Sequence, residues 1–151
     1  MTTSLASSFR SGNGRKIKWQ GKSVHSLLQL SVKDGDVIEV TRKAASSSRA
    51  QALKVGVDKG NLRSNGVLMS TAAIWTHTAP ETVTLEVVGR KARSIEVWNS
   101  WSFDGVDSAW VGNAGMLIGS NGATHTLRCS DGLGDPSFDD LVVTVTVTSR
   151  G

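Results

Sequence analysis

Tyrosine is absent, cysteine occurs once and proline twice. With Cys129 alone, no intrachain disulfide can form. A catalytic cysteine would need a base. His125 lies four residues earlier, which on a strand means the same face but roughly 13 Å away. Cys129 therefore reads as a buried, inert strand thiol. No apolar run approaches a membrane span, and the N-terminus lacks the apolar segment of a signal peptide. That pattern implies cytoplasmic synthesis, with non-classical release or incorporation in a particle as routes elsewhere. No window sustains a 3.6-residue apolar period. No nucleophile–base pair stands at readable spacing and no phosphate loop is present, so the chain does not read as an enzyme.

What is present points to β structure. Glycine, serine, threonine and valine are abundant, and 151 residues suffice for one domain with a real core. The expected architecture is all-β, a single antiparallel β-sandwich or jelly roll over residues 16–151. Residues 1–15 are Ser/Thr/Gly-rich with Arg10 and Arg15, and read as a flexible basic arm. The net charge of +4 hides an asymmetry. Residues 1–79 carry twelve Lys/Arg against four Asp/Glu, and residues 80–151 five against nine. A basic front and an acidic back suggest two surfaces with different partners.

The clearest strand is Leu141 to Thr148, with Leu141, Val143, Val145 and Val147 facing one way and Val142, Thr144, Thr146 and Thr148 the other. Lys16 to Gln20 alternates as a short strand. Val24 to Leu30 suits a short helix or a strand. Ser31 to Thr41 reads as strand, Asp34-Gly35 turn, strand. Gln51 to Val57 suits a strand, Asp58 to Gly66 a loop, and Val67 to Trp75 a buried strand. Thr82 to Val88 places Val83, Leu85 and Val87 inward. Ser94 to Trp98 returns with Ile95 and Val97 on one face. The clearest hairpin joins Asn113–Gly119 to Ala123–Ser130 through Ser120-Asn121-Gly122.

Two stretches carry candidate chemistry. The loop between the last two strands holds Asp131, Asp135, Asp139 and Asp140. Carboxylates held close raise one another's pKa unless a cation sits among them. Ca²⁺, with roughly 6–8 oxygen ligands and tolerance for irregular loops, suits such a set better than Mg²⁺ or zinc. The alternative is an acidic turn whose aspartates cap backbone N–H groups. The second stretch, Trp98 to Trp110, reads as a loop with three of the five tryptophans, interleaved with Asn99, Asp104 and Asp107. Indoles outside a core stack on flat apolar surfaces, so Trp98, Trp101, Asn99, Asp104 and Asp107 form a candidate ligand-binding set, while core packing is the better reading for at least two of the three tryptophans.

The run from Leu127 to Val147 resembles the C-terminal hairpin of calcium-dependent galactose-binding bacterial lectins of the PA-IL type. In those lectins a strand enters a loop with an aspartate, a threonine four residues on and an asparagine pair, followed by a last alternating strand. Asp131 stands at the aspartate, Asp135 at the threonine, and Asp139-Asp140 at the pair after a one-residue shift. Gly35-Asp36-Val37-Ile38 resembles an early strand of the same family. Ser137 to Val143 is also similar to the ending of β-sandwich modules in bacterial surface and secreted proteins. The resemblance implies a Ca²⁺ held by the aspartate loop, its shell completed by sugar hydroxyls, in a lectin-like or adhesion module.

Three functions follow from these features. The first is calcium-dependent binding of a carbohydrate or glycoconjugate. The second is a self-assembling structural protein, such as a viral or phage shell or decoration subunit forming a homo-oligomer, with the acidic loop at an intersubunit or structural-metal site. The third is salt-dependent nucleic-acid binding through the basic front, which ranks last because its cations are scattered without interleaved aromatics.

Overall fold

The computed structural model describes residues 4–46 and 48–149. A helix, α1 (Leu5–Ser11), comes first. Strands β1 (Lys16–Trp19), β2 (Lys22–His25), β3 (Leu28–Ser31), β4 (Val37–Ala45) and β5 (Gln51–Val57) follow. Next come β6 (Asn61–Ser64), β7 (Val67–Met69), β8 (Thr71–Trp75), β9 (Thr82–Val88) and β10 (Ser94–Phe103). The chain ends with β11 (Val106–Ser108), β12 (Gly115–Asn121), β13 (Thr124–Ser130) and β14 (Leu141–Thr148). Among the described residues no helix is long and apolar enough to cross a membrane.

The strands form two antiparallel sheets, an all-β sandwich. One sheet runs β1-β2-β12-β13-β14-β4-β9-β6-β7, the other β11-β10-β5-β8, with β3 also paired to β10. The core lies between them. Ile38, Val40, Leu85, Leu127, Val143 and Val145 come from the first sheet, and Leu53, Val55, Ile95 and Val97 from the second. Burying each such side chain contributes about 1.5–3 kcal/mol.

Strand β14 shows how pattern becomes position. Leu141, Val143 and Val145 are buried, and β14 pairs with β13 on one side and β4 on the other. Its outward threonines join rows across the sheet: Thr126, Thr144, Thr41 and Thr82 stand opposite one another on four adjacent strands. Hydroxyls of Thr41 and Thr82 lie 3.2 Å apart, and those of Thr124 and Thr146 2.9 Å. Val142 was expected outward but is also buried. The pairing with β4 slips between Val142 and Val143, a bulge that re-aims side chains locally. The β12–β13 hairpin forms as expected, but its turn is Gly122-Ala123 rather than Ser120-Asn121-Gly122, since Ser120 and Asn121 extend β12 and Asn121 stands opposite Thr124.

The N-terminal arm needs correction. Over residues 4–15 the expected flexible arm is a capped helix and a turn; the rest of the expected arm, residues 1–3, lies outside the described residues. Ser4 caps α1, its hydroxyl accepting from Ser7 N–H at 3.1 Å. Leu5 and Phe9, one turn apart, bury one face of the helix with Val24. Ile17, Trp19, Leu117 and Phe138 pack around them, making a second small core. A serine-rich composition hid two apolar residues at helical spacing.

Other local expectations fail where neighbours in sequence part in space. β3 and β4 flank the Asp34-Gly35 turn but join different sheets. Asp36 shapes that turn, its carboxylate accepting from Lys33 N–H at 2.9 Å. β9 and β10 likewise lie in different sheets. Val67–Trp75 is not one buried strand: β7 edges the first sheet with Val67 and Leu68 exposed, and the chain crosses at Ser70 to β8 in the second.

Candidate functional site

The aspartate loop connects β13 to β14 across one end of the sandwich. Asp131 follows β13 directly and is wholly buried. Its Oδ2 accepts from Arg49 Nη1 at 2.7 Å and Gln51 Nε2 at 3.0 Å. Its Oδ1 accepts from Leu133 N–H at 3.1 Å. Asp131 N–H donates to Asp140 Oδ2 at 2.9 Å, closing the loop on itself. Asn99 Nδ2 donates to the Ser130 carbonyl at 3.0 Å, and Asn113 Nδ2 to that of Gly134 at 2.7 Å. The loop is thus tied to β5, β10 and the segment before β12.

Close packing seals it further. A Cβ on Gly132 would stand 2.5 Å from Trp101 Cζ2, and one on Gly112 2.2 Å from the Gly132 carbonyl oxygen. Only glycine permits that approach. Phe138 meets Trp19 edge-on, with ring centroids 5.5 Å apart.

The four aspartates do not converge. Asp135 and Asp139 are exposed, and Asp139 lies 3.3 Å from Arg128 Nη1. Among the described residues no group of three or more His, Cys, Asp or Glu side chains is placed to share a metal ion. Asp131 already has a guanidinium, an amide and a backbone N–H as donors, so its oxygens do not face an ion. As arranged, these residues do not fit a calcium ion. The cation expected among the carboxylates is Arg49. Burial pushes the Asp140 carboxyl above the usual carboxylate range, opposed by the Asp131 N–H and reinforced by the Asp131 charge. Burial likewise raises the Cys129 thiol far above its ordinary value.

The tryptophan stretch is a strand and a hairpin rather than a loop. β10 continues to Phe103, turns at Asp104-Gly105 and returns as β11. Asp104 adopts a left-handed conformation, φ +52°, at that turn. Period-two alternation then sorts the candidates. Asn99 and Trp101 point into the sandwich with Ile95 and Val97; Trp101 is only 1% exposed. They are structural, which corrects their assignment to the ligand-binding set. Trp98 lies on the outer face with Glu96. Asp107 ion-pairs Lys54, which stands opposite Trp98 on β5.

On this outer face a groove of about 250 Å³ runs between Trp98, Trp110, Glu96, Asp58, Thr71 and Gly56. Glu96, Gly56 and Thr71 form one row across β10, β5 and β8. Trp98 reaches over Gly56: a Cβ there would be 3.5 Å from the indole. Trp110 stacks on Trp98 with centroids 5.1 Å apart and planes 28° from parallel. Trp110 has φ +57°, costly for a bulky residue, and is half exposed. Its Nε1–H donates to the Ser26 carbonyl at 2.9 Å, which holds the ring. Asp58 Oδ1 accepts from Arg93 and Ser94 N–H at 2.8 and 2.9 Å; these bonds hold its carboxyl below the usual range.

Sequence reasoning named Trp98 but missed Glu96, although the two share a face at a spacing of two on an evident strand. Gly56, Thr71 and Asp58 carried no such signal, because only sheet pairing brings them to β10. No family model matches the chain, and no curated protein matches it either.

Proposed function

We propose that this protein is a carbohydrate-binding module whose sugar lies on the outer face of the second sheet, in the groove beside Trp98 and Trp110. The single observation that carries this reading is the indole pair, stacked beside a flat glycine floor with carboxylates and a hydroxyl around it. A pyranose has an apolar face and a rim of hydroxyls. Indole faces match the first. Glu96, Asp58 and Thr71 match the second as acceptors and donors. A left-handed, half-exposed tryptophan braced by a hydrogen bond is strain held in place beside a binding surface. The sugar chemistry is the one the lectin resemblance implies, but the support for it lies in this groove and not in the aspartate loop.

The test is a glycan array followed by titration of intrinsic tryptophan fluorescence. Trp98→Ala and Trp110→Ala should each weaken binding at least tenfold while the unfolding midpoint stays within a few degrees. Gly56→Val should do the same by filling the floor, since its backbone conformation accepts a side chain. Binding that survives all three substitutions would refute the groove as the site.

A second reading, self-assembly, is favoured by one observation. Val67 and Leu68 are exposed on the edge strand β7, and Phe103 and Val106 are exposed at the β10–β11 tip. Exposed apolar edges invite strand pairing between copies. Light scattering across a concentration series tests it: a discrete oligomer lost in Leu68→Lys supports assembly, and a monomer throughout refutes it.

A further inference from the structure

We propose that the groove selects cationic amino sugars, saccharides that carry a protonated amine. This rests on the carbohydrate reading above and names its ligand class. The argument begins with a mismatch of charge. The chain as a whole carries +4, so bulk electrostatics favour anionic ligands. The groove runs against that trend. Its ionisable lining is Glu96 and Asp58, with no lysine, arginine or histidine. The cation nearest in register, Lys54, is engaged by Asp107.

The two carboxylates are available in different ways. Glu96 is exposed, and among the described residues no cation pairs with it. Asp58 is exposed too, but its Oδ1 is held by two backbone N–H groups and the Lys59 charge acts on it, so among the described residues Glu96 is the unpaired carboxylate of the two. Between them lie Gly56 and the Trp98 indole that reaches over it. An ammonium beside an indole face gains from the ring quadrupole, and it gains again from an adjacent carboxylate. Glu96 and Trp98 are two residues apart on one strand face, so their side chains stand roughly 7 Å apart, about the width of one sugar ring. A ring stacked on Trp98 therefore brings its substituents to Glu96. An amine there meets an acceptor with charge. A carboxylate or sulfate there meets repulsion.

The experiment uses the full chain and three tetrasaccharides of one β-1,4 backbone: glucosamine, N-acetylglucosamine and glucose. Dissociation constants are measured by calorimetry at neutral pH and low salt. The glucosamine oligomer should bind roughly fivefold tighter than either neutral one, the scale of partly exposed charge pairs. Glu96→Gln should bring that ratio to about one, and 0.5 M salt should compress it similarly. Equal affinities for all three would overturn the inference, as would a ratio that Glu96→Gln leaves unchanged. Binding of other array glycans with none of these three would overturn it too, while leaving the carbohydrate reading intact. Failure of every saccharide would remove both.

Discussion

Arg49 Nη1 lies 2.7 Å from Asp131 Oδ2, although the two residues are 82 positions apart in the chain. Arg49 leads into β5 of the second sheet, and Asp131 directly follows β13 of the first. The pair therefore clasps the two sheets at the end where the aspartate loop crosses. Asp131 is fully buried and Arg49 part exposed, so the two partners are not equivalent.

That asymmetry predicts an order of effects. Arg49→Met leaves a buried carboxylate without its cation and should cost about 3 kcal/mol in urea unfolding. Asp131→Asn should cost less, because the freed guanidinium can turn to water. A loss under about 0.5 kcal/mol for Arg49→Met, the size of an exposed pair, would mean that Gln51 and Leu133 alone satisfy the carboxylate.

Asp140 should set a pH dependence of opposite sign to that of a paired carboxylate. Burial raises its pKa in the folded state, with the Asp131 charge adding to the shift. The folded chain then holds this proton at a pH where the unfolded chain has lost it. Stability from this group is present below the unfolded value and falls as pH rises through the raised folded one. Asp140→Asn keeps an acceptor for the Asp131 N–H. Its melting temperature should exceed that of the parent at pH 7, and the gain should vanish in acid, where the parent carboxyl is neutral too. A gain independent of pH would show that the carboxyl is not the cause.

Calcium should leave the melting temperature unchanged. An ion that binds only the folded state adds about 2.7 kcal/mol at a hundredfold over its Kd, a shift that melting curves with Ca²⁺ and with chelator would reveal. With Arg49 in place among the carboxylates, no such shift is expected. A calcium shift that disappears in Asp140→Ala would show that the loop rearranges around an ion, and would return the sugar chemistry to the loop.

Gly132 should tolerate no side chain. A Cβ there would meet Trp101 Cζ2 at 2.5 Å and the Val111 carbonyl oxygen at 2.6 Å, neither free to move. Gly132→Ala should cost about 3 kcal/mol by overpacking and alter the near-ultraviolet circular dichroism of Trp101. A neutral substitution would show that the loop shifts away from β10 easily.

The sequence by itself determined whatever depends on near neighbours in the chain. Alternation in Leu141–Thr148 and Thr82–Val88 set which face is buried, because a strand's side-chain period is two and one face must leave water. Turn residues around Gly122 marked the β12–β13 hairpin, which turns at Gly122-Ala123. Isolation of Cys129 excluded a disulfide. Tertiary structure decided which strands share a sheet. It separated β3 from β4 and β9 from β10, although each pair flanks a recognisable turn, since a turn fixes a reversal of direction and not the partner that follows. It also decided the fate of the charges. Four aspartates close in sequence imply a shared cation, but they do not converge: Asp131 pairs with an arginine 82 residues away and Asp139 with Arg128. The groove beside Trp98 has the same origin: alternation along β10 exposes Trp98 and Glu96, and only pairing with β5 and β8 supplies the glycine floor and the hydroxyl beside them.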